Sequence, residues 1–161
     1  EDVEQRVRMF GIVREIIGRH GIGWMRRIMI FAPIMRSGRA PDPIRRMAER
    51  YSYRDEVADA APAAVARILE FLAATLRRQR ERGSRYFVGD ALTEADIYWA
   101  AFSNIVSPMP FERCPMPEWL RASYGDIGPV VAGALDTALL AHRDFVWDEH
   151  IGLPMDFLAD A

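Results

Sequence analysis

The stretch YFVGDALTEADIYWAAF, residues 86–102, decides how the rest of the chain is read. Within it Thr93 stands three places before Asp96, with Leu92 just ahead of the pair and Ile97 just behind it. This is the spacing of a capping box. The threonine oxygen accepts from the N–H of residue 96 while the carboxylate reaches back to the N–H of residue 93, so two donors that a helix leaves unpaired at its start are satisfied together. Leu92 and Ile97 hold the positions before the cap and four after it, where two apolar side chains close over the turn as a hydrophobic staple. Aspartate in place of the longer glutamate predicts a tight, buried box. The helix it opens, EADIYWAAFSNIV, is apolar nearly all round and is expected to run through the middle of a bundle.

Working outward, the flanking segments also read at helical period. Upstream, Val65, Ile68, Leu69, Leu72 and Leu76 share one face, and the run RRQRER ends at Gly83, which can take the left-handed conformation that stops a helix. Those arginines sit at the negative end of the helix dipole and lack the interleaved aromatics of a base-stacking surface, so a solvated helix end is expected and no nucleic-acid contact. Pro62 predicts a kink or a fresh start within this helix. Further back, Val3, Val7, Phe10, Val13 and Ile17 form an amphipathic stripe, Gly18, Gly21 and Gly23 weaken it, and an apolar pattern resumes from Trp24 to Met35, which predicts one long helix that is bent or interrupted. Asp42-Pro43 reads as an N-cap with proline at the first helical position, opening a short helix over 44–51.

Downstream, SPMPFERCPMPEW carries four prolines and marks a surface crossing. Helical pattern returns over 117–124, restarts near Gly128-Pro129, and ends in a helix capped by Asp136 and carried by Leu139, Leu140, Phe145 and Trp147. No alternating run long enough for a strand appears beyond RYFVG, so the fold class is all-α, a single helical domain over residues 1–161.

Composition narrows the function. A formal charge of −2 argues against a chain built to grip nucleic acid or acidic lipid, and no apolar run is long enough to span a bilayer. The start EDVEQRVR has no signal-peptide pattern, which leads to an expected cytoplasmic location. All 21 basic residues are arginine. Cys114 is the single cysteine, so no internal disulfide forms. The chain opens without methionine and is expected to be part of a longer product.

The 86–102 stretch resembles the aromatic–Val–Gly–Asp–x–Leu–Thr/Ser–x–Ala–Asp segment that begins the buried sixth helix in the C-terminal domain of glutathione transferases. The surroundings agree: two long helices upstream, a proline-bearing loop, MPEWLR placed like that family's Pro-x-x-x-Trp segment, and the restart at Gly128-Pro129. One departure is Gly128, where many members carry arginine. The resemblance implies an all-helical bundle lining the pocket for a small hydrophobic electrophile. It implies a thioredoxin-like N-terminal domain as missing partner, which binds glutathione as co-substrate of the full-length protein and stabilises its thiolate. No residue here matches the family's thiol-activating motif, so no catalytic residue is assigned, no cofactor is expected to bind this domain alone, and this chain alone is expected to be inactive. Domains resembling this one also serve assembly in translation factors and aminoacyl-tRNA synthetase complexes, so a non-catalytic protein-protein interaction module is the alternative.

In the family, the fourth helix borders the electrophile pocket, and it is equated with the first helix here. Phe10, Arg14, Ile17 and Trp24, with Gly21, would share one face of an unbroken helix and fit a substrate-binding wall of apolar and aromatic surface with one polar group. The plainer reading, which takes precedence, is that Phe10, Ile17 and Trp24 are ordinary core residues beside a half-exposed Arg14 with its stem packed. Met9, Ile12 and Ile16 lie beyond that stripe and offer a surface for a possible homodimer, which the resemblance also implies. HRDFVWDEH gathers His142, Asp144, Asp148, Glu149 and His150, but without a His-x-x-x-His pair it reads as a solvated helix face and no metal is expected. Cys114, among prolines, reads as a bystander thiol, and His20 as a structural histidine.

Overall fold

The computed structural model describes residues 2–155, and every regular element among them is helical. In chain order these are α1 (Val3–Ile17), α2 (Ile22–Arg36), α3 (Asp42–Arg50), α4 (Asp55–Glu81), α5 (Glu94–Phe102) with a 3-10 turn (Ser103–Ile105), α6 (Glu118–Gly125), α7 (Gly128–Ala134) and α8 (Thr137–Val146) with a π turn (Trp147–Ile151). α2 packs along α4, α1 and α8 pack on α5, and α7 closes over α4.

The long first helix is interrupted, for a steric reason. α1 starts where the Asp2 carboxylate accepts from the Glu4 N–H at 2.9 Å. It stops at Gly18, where an added Cβ would sit 2.6 Å from the Arg14 carbonyl oxygen; one at Gly21 would sit as close to that of Glu15. Between them His20 adopts a φ of 69° and is exposed, which corrects its reading as a satisfied structural histidine. The face proposed to run from Phe10 to Trp24 therefore does not exist, because the two ends belong to different helices.

The phase of α1 also differs from the sequence reading. Met9, Ile12 and Ile16 are the core positions, while Val3, Val7 and Phe10 are 59, 65 and 58 % exposed. Both sets recur at three and four, so periodicity supports either, and packing against α5 selects one. The surface assigned to a dimer is thus the buried face of the helix.

α4 runs unbroken through Pro62. The ring lies at the start of the third turn, where the helix forfeits a single backbone bond, and the whole helix spans about 40 Å at 1.5 Å per residue. It stops before Gly83, whose φ is 85°. α3 begins at Asp42 rather than after it: Pro41 is its cap, and the Asp42 carboxylate is taken by Arg45. Gly128 has a φ of 68°, a conformation that strains any residue with a Cβ, which accounts for glycine at this position.

α5 is central on one side only. Ala95, Asp96, Trp99 and Ala100 are fully buried, but Ile97 and Tyr98 are 40 and 37 % exposed, so the helix is not sealed all round. Two indole bonds tie it to the final helix: Trp99 Nε1 donates to the Leu139 carbonyl at 2.9 Å, and Trp147 Nε1 donates to the Ala100 carbonyl at 3.1 Å. A smaller cluster of Met109, Cys114, Met116, Val146 and Trp147 sits under the proline loop beside the main core.

Candidate functional site

The capping box forms at the start of α5. Asp96 Oδ2 accepts from the Thr93 N–H at 2.9 Å and from the Thr93 hydroxyl at 2.7 Å, so the hydroxyl also acts as a donor, beyond the acceptor role the spacing predicts. Oδ1 accepts from the Phe87 N–H at 2.9 Å and lies 2.9 Å from His142 Nε2. Asp96 thereby joins the 86–93 loop, α5 and α8 at one buried point. His142 is 1 % exposed and Arg143 6 % exposed, which overturns the solvated-face reading of that segment for both. Leu92 packs partly buried against the smaller cluster, while Ile97 lies on the open side of α5.

A second buried polar centre was not read from the sequence. Arg26 in α2 is 1 % exposed, and its guanidinium donates to the Ile105 carbonyl at 2.9 Å and to those of Ser123, Tyr124 and Asp126 at 3.3, 3.3 and 3.1 Å. Its acceptors lie in the 3-10 turn and at the end of α6, where the helix dipole is negative. Burial draws its pKa down to about 10, which leaves it charged at neutral pH. The signal was available: Ile22, Arg26 and Met29 repeat at four and three inside an otherwise apolar run.

Arg26 thus holds the end of α6 against α2 and brings Tyr124 toward Arg27. The Arg27 guanidinium carbon lies 5.5 Å from the Tyr51 ring centre and 5.9 Å from that of Phe102, within cation–π range, and Nη1 donates to the Gly23 carbonyl at 2.9 Å. A Cβ at Gly23 would fall 2.8 Å from the Phe102 ring, so that ring rests on bare backbone. Trp24 packs against Tyr51 in a tilted arrangement, with ring centres 4.7 Å apart and the planes at 57°. Beside this cluster is a hollow of about 120 Å3, lined by Arg27, Ala101, Phe102, Asn104, Ile105, Tyr124 and Met155. Burial raises the pKa of the Tyr124 phenol, with Arg27 opposing the shift.

Of the four residues expected to line a pocket, Trp24 belongs to this aromatic cluster. Ile17 packs partly buried on the main core, and Phe10 and Arg14 lie exposed on α1. An aromatic group with one cation does form, but around Arg27 rather than Arg14, with Phe102 and Tyr51 beside it. Sequence spacing within one helix could not find it, since its members come from α2, α5 and the turn after α3.

Cys114 is buried, and burial is the main cause that pushes its thiol pKa up. That suits a bystander rather than a nucleophile. His150 Nε2 lies 3.2 Å from the Tyr86 hydroxyl, and among the described residues no group of His, Cys, Asp and Glu could hold a metal ion. Nor is any helix among them long and apolar enough to cross a membrane.

No curated protein and no solved structure matches the chain. The family model for the glutathione S-transferase C-terminal domain matches residues 24–114, more than half of the chain, from Trp24 in α2 to Cys114 in the proline loop. α1, equated above with the family's fourth helix, lies ahead of the matched region. With its all-helical fold and capping box, the chain belongs to the glutathione S-transferase C-terminal domain family.

Proposed function

We propose that this chain is the electrophile-side half of a glutathione transferase-like enzyme, with the hollow at Arg27, Phe102 and Tyr124 as one wall of the pocket. The observation that carries this reading is the size and chemistry of that hollow. Pockets that enclose a small ligand span about 300–1,000 Å3. A space of about 120 Å3 with aromatic walls and one cation is a half-site that needs a second surface to close it. A thioredoxin-like domain would supply that surface, the glutathione and the group that stabilises its thiolate. Arg27 would then face the charge that develops on an electrophile during thiol addition. On this reading the protein works in the cytoplasm, where glutathione and the unpaired Cys114 stay reduced.

The test is a thiol-conjugation assay on the product of the complete coding sequence with glutathione and a panel of small electrophiles, beside residues 1–161 alone. The expected result is activity in the former only, with Arg27→Ala raising KM for the electrophile several-fold and leaving KM for glutathione unchanged. Equal kinetics in parent and variant would refute the pocket assignment.

A second reading, assembly without catalysis, is favoured by the exposed stripe Val3, Val7 and Phe10 on α1. Association of two copies through α1 would use this face, since Met9, Ile12 and Ile16 are committed to the core. No conjugation by the full product, together with no retention on immobilised glutathione, would favour assembly.

A further inference from the structure

One wall of the Arg27 hollow is a buried amide. Asn104, the single asparagine of the chain, lies in the 3-10 turn after α5 and is 0 % exposed. The two ends of its side chain are bonded very differently. Oδ1 accepts from the N–H of Met109, a member of the smaller cluster under the proline loop, at 2.9 Å. That bond fixes the orientation of the amide, because an inverted side chain would set its own N–H against the Met109 N–H.

Nδ2 therefore faces the other way. It donates to the Ala101 carbonyl at 3.5 Å and to Met155 Sδ at 3.4 Å, and Ala101, Asn104 and Met155 all line the hollow. Neither partner is a good one. The carbonyl sits at the far edge of hydrogen-bond range, where N–H···O distances centre near about 2.9–3.0 Å, and a thioether is a weak acceptor. A sealed amide ordinarily holds strong acceptors, since taking its N–H groups out of water costs free energy that only a hydrogen bond returns.

Met155 is the replaceable partner of the two. Its backbone N–H donates to the Arg113 carbonyl at 2.8 Å, while its side chain is partly buried and unbranched and turns about several single bonds. A ligand oxygen can take the place of Sδ without disturbing that backbone bond. The remaining walls narrow the ligand further. Phe102, Ile105 and Tyr124 offer mainly apolar surface, and the Arg27 guanidinium disfavours a cation.

We propose that the hollow selects ligands that carry a carbonyl-type oxygen on a small apolar body, with Asn104 Nδ2 reading that oxygen in place of Met155 Sδ. A site built to hydrogen-bond such an oxygen rejects the analogue that lacks it, because the buried donor is then left with its weak partners. The electrophile of the proposed conjugation is then one that bears this oxygen, which rests on the reading of the hollow as a pocket wall.

NMR titration of the isotope-labelled chain with acetophenone, and separately with ethylbenzene, which has CH2 in place of C=O, tests it. No other asparagine contributes a side-chain N–H2 pair, and the loss of one pair in Asn104→Asp identifies it. Acetophenone should shift that pair and bind about three- to tenfold tighter than ethylbenzene, which should leave the pair in place. Asn104→Asp keeps an acceptor for the Met109 N–H and removes the donor, so the preference for acetophenone should vanish. Met155→Leu keeps the volume and the Asn104 amide but removes the thioether, so the preference should persist or grow. No thiol enters the titration, so its outcome is separate from whether the full-length product conjugates glutathione. An Asn104 pair that does not respond to acetophenone, equal affinity for the two compounds, a preference kept in Asn104→Asp, or one lost in Met155→Leu would each overturn the proposal.

Discussion

His142 Nε2 of α8 lies 2.9 Å from Asp96 Oδ1 of α5, with both side chains sealed from solvent. Removing the carboxylate leaves the Thr93 and Phe87 N–H groups and the imidazole with no acceptor in a dry site. Asp96→Ala is therefore expected to lower unfolding free energy by about 3 kcal/mol or more, since each stranded buried donor costs about 1–3 kcal/mol. Thr93→Ala removes one cap and should cost about 1 kcal/mol. Urea denaturation measures both; equal losses would mean that Asp96 acts only as a cap.

Arg26 makes a different prediction because its acceptors are all carbonyls. Arg26→Met keeps most of the volume but strands the carbonyls at the end of α6, for an expected loss of about 2–4 kcal/mol. Arg26→Lys should not restore stability, since an ammonium on a flexible stem cannot span Ile105 and Asp126 as the guanidinium fork does. A lysine variant that melts with the parent would contradict this geometry.

Cys114 gives a pH dependence with a definite sign. Its thiol pKa is raised above the ordinary 9.0, burial outweighing Arg121 and Arg143. The fold holds that proton more tightly than the unfolded chain does, so the thiol's stabilising share is complete below pH 9 and lost as pH rises above it. Cys114→Ala should flatten the fall in urea midpoint between pH 8 and pH 10. Tyr53 and Tyr124, also raised above 10.0, add a further loss at higher pH that the substitution leaves in place.

The same change at two glycines should act in opposite directions. Gly11→Ala meets open space in a helix interior and should stabilise by up to about 1 kcal/mol. Gly18→Ala drives a Cβ to within 2.6 Å of the Arg14 carbonyl oxygen and should destabilise. Thermal melts of the two variants decide it; shifts of the same sign would refute the assignment of the helix break.

These cases also separate what the sequence states from what it leaves out. Thr93, Asp96, Asp136 and Gly83 were legible because a cap or a stop is written within a few residues of itself. The phase of α1 was not, because Val3, Val7 and Phe10 repeat at the same interval as Met9, Ile12 and Ile16, and only a neighbour decides which set turns inward. His142 looked solvated for the same reason: its partner stands 46 residues earlier. Arg27, Phe102 and Tyr51 come from three parts of the chain, and no spacing within any one of them announces the cluster.

The paired indoles of Trp99 and Trp147 act like two rivets driven from opposite plates. Each helix region supplies one donor and takes one, so sliding α5 along α8 by even a single residue would pull both apart at once. That junction has one permitted alignment and no graded series of slipped ones, and so the α5–α8 seam is fixed while any adjustment to an incoming partner falls to the helices around it.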